Sequence, residues 1–438
     1  MKRSRFFRGS RAVVAVVAIS AVGCAVLTVG VGVAGAEGGH APIVIASDGD
    51  FASCQCVVSG SGTSADPFVI GPWSINNVNG VAVSVDGTNL TKSFVLSNLT
   101  IAGNATASDT GIVLNHIRAQ VGAQVRGLQT SIQTNNVGIL VENSANVVLD
   151  GGGANPNGPG ISERGAGTIN KNASGAIDVE NSSNITIRGW QLSANGGDHE
   201  PDWLRLDPGV QEWGVGGVRF FGVSNSLIDH NAANNDTDVS YSLFASDHNT
   251  LTGNTGDYPF TMNYLLTDGS SYNTLRGNES STGDFIGLMI ADPLAGSPAA
   301  HDNLVTGNTI HTDGPTGTEL SPIDITPAFL GGIVLLNGTY NNTISNNQTW
   351  ASFGSDLAWA QAVPDASSAI GVETYKPTVH CNVTTYDGPG SAPPLNGNVW
   401  TGNTYKTIDP CLPGRAERGY PGPGSPKGRP LLPSAHTR

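Results

Sequence analysis

Asn249-Thr250-Leu251-Thr252-Gly253-Asn254 returns 24 residues later as Asn273-Thr274-Leu275-Arg276-Gly277-Asn278. Looser copies follow at Asn303–Asn308, Asn342–Asn347 and Asn398–Asn403. Variants precede them at Asn98–Asn104, Asn146–Gly151, Asn184–Gly189 and Asn225–Asn231, the first and last with one extra residue. A period of about 20–50 residues marks stacked or bladed repeats, because one such unit cannot bury its own apolar side.

Between the copies stand short apolar runs such as Phe94-Val95-Leu96, Ala176-Ile177-Asp178-Val179, Gly287-Leu288-Met289-Ile290 and Gly332-Ile333-Val334-Leu335. Each is too short to fold alone. Stacked at about 4.8 Å per coil, they can pair every backbone N–H and C=O with the coils above and below. Asn suits the corners, since it tolerates left-handed backbone angles and bonds its own backbone. Amides at matching corners can also bond one another along the axis. The expected fold is all-β, a right-handed parallel β-helix of roughly a dozen coils of 22–24 residues. A β-propeller is the alternative, but its blades need about 40–50 residues and hairpin alternation.

Departures from the step locate insertions. Asn146 to Asn184 is 38 residues, Asn184 to Asn225 is 41 and Asn303 to Asn342 is 39. The surplus falls near 152–168, 190–215 and 311–327. Residues 37–75 read as a leading segment, 76–411 as the solenoid, and the Pro/Gly-rich stretch 412–438 as a disordered tail with nothing to bury.

Charge and cysteine usage bound the compartment and the partners. Lys2, Arg3, Arg5, Arg8 and Arg11 precede an apolar run from Ala12 to Val33, and Ala34-Gly35-Ala36 supplies a small-x-small cleavage pattern. Residues 1–36 therefore read as a signal peptide of a secreted or cell-surface protein. An uncleaved membrane anchor and a lipoprotein using Cys24 are the alternatives. After cleavage 16 basic residues face 35 acidic ones, a net charge of −19. That excludes nucleic acid, whose binding rests on neutralising phosphates, and it disfavours polyanions unless Ca²⁺ bridges them. The cleaved chain is expected to stay off the membrane as a monomer. An even set of four cysteines then remains, which favours disulfides in an exported chain. Cys381 with Cys411 is expected to close the last coils. Cys54-Gln55-Cys56 is either a local bridge or a thiol pair for a soft metal.

The corner pattern Asn-x-[Leu/Ile/Val]-x-x-Asn resembles that of the NosD-type, pectate-lyase-like β-helix superfamily. Gly60-Ser61-Gly62-Thr63, with Asp66-Pro67-Phe68-Val69-Ile70, is similar to the opening of those domains. The resemblance spans about residues 60–405 and implies the fold. It does not choose among lyases, hydrolases, epimerases, tail proteins and a copper-maturation role, because function sits in sites rather than folds.

The signatures of such enzymes are missing or partial. Asn235-Asp236-Thr237-Asp238 only superficially matches a polygalacturonase set, and Asp292-Pro293 lacks the His that follows in epimerases. The most promising constellation lies after Trp190, with Asp198, Glu200, Asp202, Trp203 and Trp213 in the insertion and Asp236 and Asp257 in the coils beyond. Trp190, Trp203 and Trp213 are expected as sugar-stacking platforms, and the five acids as proton-transfer groups or Ca²⁺ ligands. Asp229-His230, Asp247-His248 and His301-Asp302 sit near corners but at differing coil positions, which argues against one row of metal ligands. The leading expectation is a carbohydrate-binding or carbohydrate-active protein using a groove beneath 190–215, as a lyase or glycoside hydrolase if catalytic. A non-catalytic scaffold with a NosD-type maturation role is the alternative.

Overall fold

The computed structural model describes residues 39–412 except 105, 107, 156, 162–165, 197–215, 237, 260–261, 282–285, 292–297, 312–330, 337, 351–354, 365–374, 381–396 and 409–411. Three long sheets run along one axis. Sheet I has 12 strands, from Ile43–Ser47 to Tyr375–His380; sheet II has 12, from Val57–Ser59 to Val399–Thr401; sheet III has ten, from Trp73–Val78 to Gln348–Trp350. Each coil visits them in turn, as in Gly216–Phe221 (I), Leu227–Asp229 (II), Ala232–Asn234 (III) and Val239–Phe244 (I again). The fold is a right-handed parallel β-helix.

The central residue of each three-residue strand points inward and stacks on its counterpart. Ile228, Leu251, Leu275, Val305, Ile344 and Trp400 form one such column in sheet II, and all six are buried. Burying an aliphatic side chain of this size contributes about 1.5–3 kcal/mol, so the core is built coil by coil. The leading segment is itself a coil, because Ile43–Ser47, Phe68–Ile70 and Trp73–Val78 each pair with the strand above. Cys54 and Cys56 in this coil lie within bonding distance of each other. The expected Cys381–Cys411 pair lies outside the described residues.

The two Asn of the hexad occupy different corners. At the I–II corner, Ser226 N donates to Asn249 Oδ1, and Asn249, Asn273, Asn303, Asn342 and Asn398 continue the ladder at 2.8–3.1 Å. At the II–III corner, Asn231, Asn254, Asn278, Asn308, Asn347 and Asn403 repeat the pattern at 2.9–3.0 Å. Each rung donates its backbone N–H and one side-chain N–H to the Oδ1 of the next coil. Its second side-chain N–H reaches a buried carbonyl, as from Asn254 to Ile228 O at 2.9 Å. Buried amides are thereby satisfied rather than stranded.

The left-handed backbone expected at these Asn belongs to their neighbours. The residue before the I–II rung carries the positive φ, at His248 (57°), Tyr272 (55°), Asp302 (52°) and Asn341 (55°). Before the II–III rung it is Gly253 (63°), Gly277 (62°), Gly307 (66°) and Gly402 (65°), replaced by His230 and Asn346 in two coils. The hexad's glycine is required there because a left-handed residue without a Cβ meets no steric penalty.

Candidate functional site

A third, shorter ladder occupies the III–I corner. Asn135 donates to Asn172 Oδ1, Asn172 to Asn195 Oδ1, and Asn195 to Asp236 Oδ1, at 2.9–3.3 Å. Asp236 is fully buried, and its Oδ2 has no hydrogen-bond partner. Burial raises its pKa from 3.8 to about 7, against the lowering effect of the two Asn195 N–H groups. The expectation that Asp236 is a carboxylate in an open cleft is therefore corrected. It is the last rung of a structural ladder, and a substrate does not reach it.

Trp190 is corrected for the same reason, since it is 0% exposed. Gly127 and Gly167 make room for it: a Cβ at either would lie 2.6 or 2.5 Å from the indole. Its ring fills the core beneath the II–III corner and offers no face to a sugar. Asp198, Glu200, Asp202, Trp203 and Trp213 lie outside the described residues.

Asp257 does stand outward, on sheet III. Strands in this sheet alternate outward, inward and outward, so two outward columns run along the axis. One column holds Gln191, Ala232, Thr255, Glu279, Thr309 and Gln348. The other holds Ser193, Asn234, Asp257, Ser281, His311 and Trp350. Six strands at about 4.8 Å give a face about 24 Å long.

The lower end of this face is a groove of about 360 Å³ between Gln191, Ala232 and Thr255 on the floor and Pro159, Gly160 and Ile161 on one wall. The 152–168 insertion supplies that wall, held down by Gly160 N donating to Gly253 O at 2.6 Å. The upper end carries the chemistry. Ser281 Oγ donates to Asp257 Oδ1 at 2.8 Å. His311 Nε2 lies 3.3 Å from Glu279 Oε1, and the hydrogen bond from His311 holds the Glu279 carboxyl below its ordinary value against partial burial. The imidazole of His311 in turn stacks on the Trp350 indole, with centroids 5.0 Å apart and planes at 14°.

Glu279, His311 and Trp350 were not among the residues anticipated from the sequence. A usable signal existed in the third residue after each II–III rung, which reads Asn234, Asp257, Ser281, His311 and Trp350 in successive coils. His248 and His301 are held at corners. Each places Nδ1 2.7 Å from a neighbouring Asp carboxylate, and their rings stack on Tyr272 and Tyr340. Among the described residues no group of three or more His, Cys, Asp or Glu could hold a metal ion, and no helix is long and apolar enough to cross a membrane.

No family model matches the chain, and no curated protein matches it. Among solved structures it is similar to a periplasmic alginate epimerase at 11% identity and a TM-score of 0.31, over 84% of this chain and 80% of that one. It is similar to the catalytic domain of a GH87 α-1,3-glucanase in complex with tetrasaccharides at 12% identity and 0.36, over 75% of this chain and half of that one. A third similar structure is the Agl-KA catalytic domain, at 10% identity and 0.27, over 79% and 59%. At these identities none of their activities transfers to this chain.

Proposed function

We propose that this chain is an exported carbohydrate-binding β-helix whose saccharide site is the outward face of sheet III, from the Pro159–Ile161 wall to Trp350. The observation that carries this reading is the continuity of one 24 Å face, at about 4.8 Å per strand. A groove opens at one end, and an indole, an imidazole and two carboxylates converge at the other. Aromatic rings offer apolar area to sugar faces, while short polar side chains match hydroxyls. Residues 197–215 lie outside the described residues and follow the strand that ends at Ser193 in sequence. Trp203, Trp213, Asp198, Glu200 and Asp202 are proposed as the second wall of this face.

Cleavage of the bound chain is a second reading, favoured by the Glu279–His311 pair. An ionised Glu279 suits a base or nucleophile, with the His311 ring as its hydrogen-bond partner. Asp257 and Glu279 sit on adjacent strands two positions apart, which puts their Cα atoms about 8 Å from each other.

Retention of soluble polysaccharides in affinity gels, with reducing-end release measured in parallel, tests both readings. Trp350→Ala is expected to weaken retention about tenfold or more while leaving the melting temperature unchanged. Equal retention by wild type and variant would remove the site from this face. Reducing ends released by wild type and lost in Glu279→Gln would establish cleavage.

A further inference from the structure

We infer that the sheet III face selects neutral polysaccharides and rejects polyuronates, an inference that rests on the saccharide site proposed above. Across the six outward pairs from Gln191 and Ser193 to Gln348 and Trp350 there is no Lys or Arg. The charged groups on this face are the carboxylates of Asp257 and Glu279 and the imidazole of His311, which is already engaged by Glu279. Glu279 is held ionised through that contact, since the bond lowers its pKa.

Among the described residues, the nearest cations stand outside the two columns. Arg188 is on sheet II, paired with Asp150 at 2.5 Å. Arg276 is on the outward face of sheet II. Lys171 follows Asn170 at the III–I corner, at the lower edge of the face, where its backbone N–H donates to Ser193 O at 3.1 Å; it is three strands below Asp257, or about 14 Å at the interstrand spacing. Among the described residues, a saccharide lying along the two columns therefore meets hydroxyl, amide and carboxylate acceptors and two aromatic rings, and no Lys or Arg side chain within the columns.

Hydroxyls of a neutral sugar can donate to Asp257 and Glu279, and hydrogen bonds to ionised acceptors are the stronger kind. A uronate in the same position places like charges a few ångströms apart at a surface where salt screens over about 8–10 Å. The penalty is largest at low ionic strength and repeats with each acidic sugar. Preference for the neutral polymer is thus expected to be at least about tenfold, and to narrow as salt rises.

The test uses the full chain in affinity gels containing neutral polymers (soluble glucan, mannan, xylan) or polyuronates (polygalacturonate, alginate), with EDTA present and at low and high salt. Wild type is expected to be retarded by at least one neutral polymer. It is expected to bind polyuronates at least tenfold more weakly, the gap closing in high salt. The Asp257→Asn/Glu279→Gln double variant is expected to gain polyuronate binding at low salt, with its circular dichroism and melting curve confirming the fold. Tighter binding of polyuronate than of every neutral polymer by wild type in EDTA would overturn this selectivity, and loss of that binding in Trp350→Ala would leave the site itself standing. No retardation by any polymer would overturn both the site and its selectivity.

Discussion

Asp236→Asn tests the physics of the III–I ladder most directly. Asp236 stands where the ladder would next place an amide, and the following coil offers Pro259 at the equivalent position, with no N–H and no polar side chain. The rung before Asp236 uses its second side-chain N–H on a buried carbonyl of the preceding coil, from Asn195 to Ile169 O at 3.1 Å. The strand partner of Ile169 is Leu192, so the orphaned Oδ2 of Asp236 is expected to face the Leu192 carbonyl. Only the protonated carboxyl can donate there. Burial raises the pKa from 3.8 to about 7, which keeps that proton in place.

A carboxyl whose pKa is raised on folding holds its proton in the native state across the window between the two values. Its folded form is favoured most at the acidic end of that window. Stability is then lost as the pH climbs from about 4 to about 7 and stays level above. A rise of this size corresponds to about 4 kcal/mol. The amide in Asp236→Asn supplies the donor at every pH. Denaturant unfolding of both proteins between about pH 4.5 and 8.5 is expected to show curves that diverge with rising pH, the variant being more stable by up to about 4 kcal/mol at the alkaline end. Comparing the two profiles cancels the contribution of every other titrating group. Parallel profiles, or a variant weaker than wild type above pH 7, would refute both the buried carboxyl and its role as a protonated stand-in for Asn.

Two further perturbations follow from the same geometry. Asn278→Ala removes the acceptor of Asn254 N and Nδ2 and the side-chain donor to Leu251 O and Asn308 Oδ1; at about 1 kcal/mol per bond a loss near ~4 kcal/mol is expected in equilibrium unfolding. Gly127→Ala places a Cβ 2.6 Å from the Trp190 indole, and the overpacking is expected to destabilise by about 1–3 kcal/mol, with a shifted tryptophan emission spectrum as the local readout.

The scaffold was legible because its information is local and repeated. The hexad states two corners, one inward side chain and one left-handed residue in six positions, and stacking multiplies that signal coil after coil. Asn249 and Asn254 bond along the axis as expected; the left-handed angle expected of corner Asn is found at Asn98, Asn146, Asn184 and Asn225, but in the hexad it belongs to His248 and Gly253. The site was less legible because outwardness is not written in a residue's identity. Trp190 and Asp236 looked like surface chemistry, yet one fills space opened by Gly127 and Gly167 and the other ends a ladder. Glu279, His311 and Trp350 stand in three different coils, separated by 32 and 39 residues. Only strand register brings them to one place, and Asp257, which shares their face, was visible in the sequence without its companions.

The asparagine ladders also give the molecule an electrical direction. At all three corners each interior rung accepts from the coil before it and donates to the coil after it. Side-chain amide dipoles in one file therefore add instead of cancelling, and each polarises the next. The two ends of the solenoid are chemically unlike as a result. The early end of each file presents a carbonyl oxygen to the coil beneath, while the late end, at Asn398 and Asn403, presents N–H groups upward. Growth of such a protein by gene duplication is consequently directional: an added coil fits the late end by bringing one carbonyl oxygen per corner. A reversed coil would set donor against donor.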